Sequence, residues 1–223
     1  YNEQATSYSS EGYARMKNSI SACLVTTGPG STNAISGVAS AWVDSVPMIV
    51  ISGQIKRELI ADYSKLRQIG EQEVNIVDLV KPITKYAKTV FEPMRIRYEL
   101  ELALHKATTG RPGPVWINIP LDVQGSIIDE KRLIPPSARK IPASPDGYKK
   151  IAFGNNFSRF SVVPDFEIPY HKLYAQAKKA LDMLRKAKRP LILCGYGIRL
   201  AHAEGYLRRL LKNMRIPILL SFN

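Results

Sequence analysis

Short apolar runs alternate along this chain with longer amphipathic stretches. Residues 22–27, 47–53 and 114–120 are continuous in character. They read as strands buried on both faces, where no polar alternation is needed. Residues 84–90 form a further strand. Between them lie helical patterns. One spans residues 2–17, and one runs from a Ser31 or Thr32 cap to about Val43. A short one covers 76–80, and one runs from Pro93 at a first-turn position to about Thr109, closed by Gly110. Strands alternating with helices predict an α/β fold, a parallel sheet with helices on both faces.

The rhythm stops after residues 122–124. Residues 135–170 carry many Pro, Gly and Ser and no clean period, which reads as a linker. A second α/β unit then begins. It has an amphipathic helix over 174–188, a strand over 190–194 and a turn at Gly195-Tyr196-Gly197. A helix over 201–212 and a strand over 216–220 follow. The expected division is a first domain over 1–134, the linker over 135–170, and a second domain beginning at 171.

Composition narrows the class. The chain has 223 residues, 45% hydrophobic and 23% charged, as in an ordinary globular protein. No apolar run approaches the ~18 residues of a membrane span, and no signal peptide is visible, so a cytoplasmic protein without a membrane partner is expected. The net charge of +13 is uneven: residues 171–223 hold twelve Lys and Arg against two Asp and Glu. Aromatic interleaving and nucleic-acid motifs are both missing, so this basic stretch does not indicate nucleic acid. Cys23 and Cys194 sit in strand-like runs without metal-ligand spacing and read as reduced, buried thiols. His105, His171 and His202 pair with no nucleophile. The chain opens inside a motif without an initiator Met, and both ends look cut.

Several residues could carry chemistry. Glu3 begins a helix, where a carboxylate favours the macrodipole. Gly28 and Gly30 follow a buried strand and let backbone approach a ligand. Gln54, after Ile51-Ser52-Gly53, ends a parallel strand at its carboxyl end, where ligands of open α/β sheets lie; a solvated post-strand residue is the plain alternative. Arg111 stands in the stiff loop Gly110-Arg111-Pro112-Gly113-Pro114. Gly195-Tyr196-Gly197 after a strand is a weak nucleotide signal.

Taken together these residues form a long string: Asn2-Glu3-Gln4, then Glu11-Gly12-Tyr13-Ala14-Arg15, a buried strand, then Gly28-Pro29-Gly30-Ser31-Thr32-Asn33. The string resembles the pyrimidine-binding domain of thiamine-diphosphate enzymes, and among them the acetolactate synthase large subunits. The resemblance runs from residue 2 to about 125 and resumes more weakly over 172–223. It implies a three-layer pyrimidine-binding domain followed by the beginning of a Rossmann-like central domain.

The resemblance also implies an activity and a set of roles. The enzyme decarboxylates a 2-oxo acid such as pyruvate and condenses the enamine with a second acceptor. Glu3 meets N1′ of the cofactor's aminopyrimidine. Its pocket is mostly apolar, so its pKa is expected to be raised. Sharing a proton there favours the 4′-imino form, whose nitrogen deprotonates C2 of the thiazolium. Gln54 lines the active site, and Gly28, Gly30, Thr32 and Asn33 form the loop beside the pyrimidine. Arg111 touches FAD in flavin-bearing members, or else pins the loop.

Mg²⁺ is implied, with ligands outside this chain, because no Gly-Asp-Gly segment followed by Asn occurs here. A second subunit, in a homodimer or homotetramer, then supplies the diphosphate-binding domain, and this chain alone is expected to be inactive. Residues 67–73 depart from the biosynthetic pattern. That loop is short and polar where an apolar and aromatic pair is expected before Gln-Glu, which leaves the acceptor open. The alternatives are a non-condensing decarboxylase, one subunit of a two-subunit decarboxylase, or a non-catalytic binding module.

Overall fold

The computed structural model describes residues 2–133, 170–214 and 216–221. The chain divides into two compact units, Tyr1–Asp165 and Phe166–Asn223. In the first, α1 (Glu3–Lys17) leads into β1 (Ser21–Val25). Then α2 (Pro29–Asn33) and α3 (Ile35–Val43) carry the chain to β2 (Met48–Gln54). After α4 (Ile76–Val80) and β3 (Tyr86–Thr89) come α5 (Ile96–Thr108), β4 (Pro114–Pro120) and α6 (Leu121–Gln124). The four strands are parallel in the order β1-β2-β4-β3.

This order explains the layering. The crossovers β1 to β2 and β2 to β3 run in one direction across the sheet, and β3 to β4 runs back. Crossovers of one hand therefore place α3 and α4 on one face and α5 on the other. Val38 and Ala41 of α3, with Ile76 and Val80 of α4, pack against Cys23, Met48, Val50 and Trp116. Ala14 of α1 joins the same cluster. Ala103 and Ala107 of α5 pack against Ile49, Val115 and Ile117 on the opposite face. The result is a three-layer α/β unit.

The half-motif Glu11–Arg15 is a clamp between helices. Arg15 donates to Glu11 Oε1 at 2.6 Å and also to Asp44 just past α3. Ser40 Oγ of α3 donates to the same Glu11 oxygen at 3.0 Å. This network holds α1 beside α3 and so fixes where Glu3, at the other end of α1, can reach.

Some local expectations need correction. Neither Ser31 nor Thr32 caps a helix. Gly28 is the N-cap, Pro29 takes the first position, and two helical segments follow rather than one. With the start moved upstream, Ser31 Oγ donates back to the Thr26 carbonyl and Thr32 Oγ1 to the Pro29 carbonyl. Pro93 opens a single 3₁₀ turn ahead of α5. Gln54, by contrast, closes β2, as its expected place at the carboxyl end of a strand requires.

The second unit comprises α7 (Tyr170–Lys186), β5 (Ile192–Cys194), α8 (Gly197–Leu200), α9 (Glu204–Asn213) and β6 (Ile218–Leu220). β5 and β6 pair in parallel, as a βαβ unit requires. The helix expected over 201–212 starts later, as α9 at Glu204, and His202 with a left-handed φ of 50° separates it from the short α8. The expected linker over 135–170 lies outside the described residues except for Tyr170. Cys23 and Cys194 are both buried and free. No helix among the described residues is long and apolar enough to cross a membrane.

Toward the carboxyl end of the sheet the core turns polar. The Trp116 indole N–H donates to Ser52 Oγ at 2.8 Å, and Ser52 donates to Asn118 Oδ1 at 2.8 Å. Asn118 Nδ2 donates to Thr89 Oγ1 at 3.1 Å. Ser52, Asn118 and Thr89 are register partners across β2, β4 and β3. Ser52→Ala would orphan Trp116 Nε1 and Asn118 Oδ1, at about 1–3 kcal/mol each. Urea unfolding should show a loss of at least ~2 kcal/mol with an unchanged m-value.

Candidate functional site

α1 starts where the notional site begins. The Asn2 side chain accepts from the Ala5 N–H at 2.9 Å, so the helix is capped one residue before Glu3. Glu3 therefore sits in the first turn, where the helix field favours its charge. Past the end of β1, Thr26 and Thr27 lead to Gly28, whose φ of 60° turns the chain back. That turn brings α2 alongside Glu3. Asn33, at the end of α2, donates its Nδ2–H to Glu3 Oε2 at 3.0 Å.

Between these elements lies an open cleft of about 600 Å³ lined by Glu3, Thr26, Pro29, Gly30, Thr32 and Asn33. Its floor depends on the absence of a side chain. A Cβ on Gly30 would stand 2.4 Å from Thr26 Cγ2 and 3.1 Å from Glu3 Oε1. One Glu3 oxygen is thus engaged by Asn33, and the other faces the space that Gly30 leaves clear. A carboxylate so held can accept a hydrogen bond from a ligand N–H. Protonated, it can donate one to a ring nitrogen. A flat heterocycle matches these requirements, and the cradle that a Cβ would fill is the observation that fits the residues to one.

The structure brings together Glu3, Gly30, Thr32 and Asn33. Gly28 shapes the turn from behind, where a Cβ would meet the Gln72 carbonyl oxygen at 2.2 Å. Gln54 is not part of this cleft. Its Oε1 accepts from Thr27 Oγ1 at 2.9 Å and from the Ile55 N–H at 3.0 Å, while its Nε2 donates to the Val74 carbonyl at 3.0 Å. It lines a smaller cleft of about 250 Å³ with Tyr63, Lys88, Phe91 and Asn118. Arg111 lies elsewhere again, donating to Ser45 Oγ at 2.6 Å and to the Val43 carbonyl at 3.2 Å. It pins its loop to the carbonyl end of α3.

The expected rise in the Glu3 pKa is reversed. The Asn33 amide, followed by Glu3's own backbone N–H, lowers it, and the small burial penalty does not compensate. The reason is that the cleft is open to water and an N–H donor stabilises the charged form. Asn33 belongs to the expected loop, but its role as the Glu3 partner depends on the Gly28 turn, which the sequence does not show. Glu73 falls in the singled-out stretch 67–73, yet its burial and its bond from Ala61, twelve residues away, come only from the fold.

Residues 1–79 match the thiamine pyrophosphate enzyme N-terminal TPP-binding domain, and residues 177–223 match the central domain of the same enzymes. The chain belongs to the thiamine-diphosphate enzyme family. Over 216 residues it is 34% identical to a probable acetolactate synthase large subunit of Methanocaldococcus jannaschii, covering 97% of this chain and 32% of that one. It is 33% identical to an acetolactate synthase of Arthrospira platensis, with 97% and 32% covered. It is 34% identical to the acetolactate synthase large subunit of Buchnera aphidicola subsp. Schizaphis graminum, with 97% and 33% covered. The chain thus spans about a third of the length of these relatives.

Within this thiamine-diphosphate enzyme chain, Asn33→Ala should raise the Glu3 pKa toward its ordinary value. A carboxyl ¹³C titration by NMR reads this directly. The depressed pKa stabilises the fold above the ordinary Glu range, and that contribution fades as pH falls through the folded pKa. The variant should therefore lose stability at neutral pH and converge with the parent in acid.

Proposed function

We propose that this chain is the pyrimidine-binding part of an acetolactate synthase-like enzyme that decarboxylates a 2-oxo acid such as pyruvate and joins the remaining unit to a second acceptor. The observation that carries this reading is the Glu3 carboxylate, braced by Asn33 and facing a cleft where Gly30 leaves room for a ring. We place the domain boundaries at 134 and 171.

Thiamine diphosphate, when bound, supplies the carbon nucleophile and the electron sink for decarboxylation. The chain's own residues bind, orient and exchange a proton. Glu3 is the catalytic residue: it holds and returns a proton at the ring nitrogen that faces it. Asn33 fixes which Glu3 oxygen is free. Gly30 and Thr26 shape the wall that a bound ring would meet, and Gly28 and Thr32 hold the turn. Gln54 keeps the loop after β2 tied to Thr27, and acts on the site through that tie.

The remaining groups belong to the wider assembly. Mg²⁺ would be held with the diphosphate by a domain outside this chain, contributed by a second copy of the subunit. Met16, Leu24 and Val43, at 77%, 73% and 69% exposure, are apolar surface that further protein would cover. FAD, where such enzymes carry it, would meet Arg111 only if that side chain left Ser45 and Val43. We expect the enzyme in the cytoplasm.

In the assembled enzyme supplied with thiamine diphosphate and Mg²⁺, Glu3→Gln should cut carbon dioxide release from pyruvate by about 100-fold or more. Equal turnover of the variant and the parent would refute this role. Product analysis of the parent separates condensation, which yields acetolactate, from simple decarboxylation, which yields free aldehyde.

A further inference from the structure

The loop between β2 and α4 is organised around one buried carboxylate. Glu73 is 5% exposed. Its Oε1 accepts from the Ala61 N–H at 2.7 Å, and its Oε2 accepts from the Ile69 N–H at 2.7 Å and the Gly70 N–H at 3.1 Å. The described ion pairs do not include it. Burial alone would raise its pKa, but the backbone donors, with the neighbouring Tyr63 hydroxyl, hold it below the ordinary value. A buried charge satisfied by backbone N–H groups from two separate stretches ties those stretches together.

The tie acts on the next residue back along the chain. Gln72 has a left-handed φ of 56°, and its carbonyl oxygen lies against Gly28, so close that a Cβ there would be 2.2 Å away. Gly28 is the N-cap of α2 and accepts from the Thr32 N–H at 3.0 Å. On the other side of Glu73, the Val74 carbonyl is held by Gln54, which also holds Thr27. Gln72 is thereby braced through Glu73 and, one residue further on, through Val74, and its carbonyl presses on the turn that delivers Gly30 and Asn33.

We propose that Glu73 is a positioning residue for the Glu3 cleft, setting through the Gln72 carbonyl the placement of the Gly28 turn and of Gly30, Thr32 and Asn33. This rests on the reading of that cleft as the pyrimidine site. It assigns a cofactor-side role to a residue that touches neither Glu3 nor the cleft.

Glu73→Gln keeps size but turns one acceptor into a donor facing backbone N–H groups. Hydrogen exchange on the whole chain should speed up by about tenfold at Ala61, Ile69 and Gly70. The telling amide is Thr32, which has no bond to Glu73 and should also exchange about tenfold faster. Faster exchange at 61, 69 and 70 with Thr32 unchanged would overturn the proposal and leave Glu73 a local brace. Should the variant not fold, Glu73→Asp keeps the charge, shortens the reach and is judged by the same amides. In the assembled enzyme, the thiamine diphosphate concentration for half-saturation should rise about tenfold. A parent enzyme indifferent to thiamine diphosphate would refute the pyrimidine-site reading alone. The exchange result would still decide the coupling.

Discussion

The register of β2 on β4, from Met48 on Pro114 to Gln54 on Pro120, governs everything at the carboxyl end of the sheet. Both strands are buried on both faces, so a slip of one residue would send Trp116 and Asn118 to the face occupied by Ile49 and Ile117. The buried polar row forbids that slip as firmly as packing does. Ser52 must stand opposite Asn118 for the indole N–H, the hydroxyl and the amide to be satisfied together. With the register set, Gln54 ends β2 within reach of Thr27 and Val74. Through them it joins the end of β1 to the end of the following loop.

A second constraint is the small space around the glycine turn. Gly28 takes a backbone conformation that L side chains resist, with the Gln72 carbonyl against its Cα. Gly30 leaves the Glu3 carboxylate facing an open wall. The helix clamp of Glu11, Arg15, Asp44 and Ser40 then decides how far the tip of α1 can move. The chemistry proposed for Glu3 thus depends on two anchored ends: a salt-bridged helix and a braced turn. Its charge state in this chain follows the Asn33 amide more than the polarity of the cleft. Further protein covering the cleft would remove water and push the carboxyl in the opposite direction.

The sheet was readable because its strands are continuous apolar runs and its helices have strong stop and start residues. Pro114–Pro120 and α4 match their expected bounds residue for residue. The start of α2 differs from the expected one: Ser31 and Thr32 have capping chemistry, yet the Gly28 turn moves the helix upstream and gives their hydroxyls other acceptors. Glu3 was legible from its motif. Gln54 was legible as a residue at the end of a strand, but its hydrogen bonds are decided by Thr27 and Val74, which only tertiary structure brings near. Glu73 shows the limit most clearly: it falls in the stretch 67–73 that the sequence marks, but its burial and its bond from the distant Ala61 N–H come only from tertiary structure.

The most direct measurement is an experimental structure of the assembled enzyme grown with thiamine diphosphate and Mg²⁺. The account predicts the aminopyrimidine in the cleft between Gly30 and Asn33, with a ring nitrogen within hydrogen-bonding distance, about 2.6–3.0 Å, of a Glu3 oxygen. A cofactor bound with its pyrimidine away from Glu3 would contradict it.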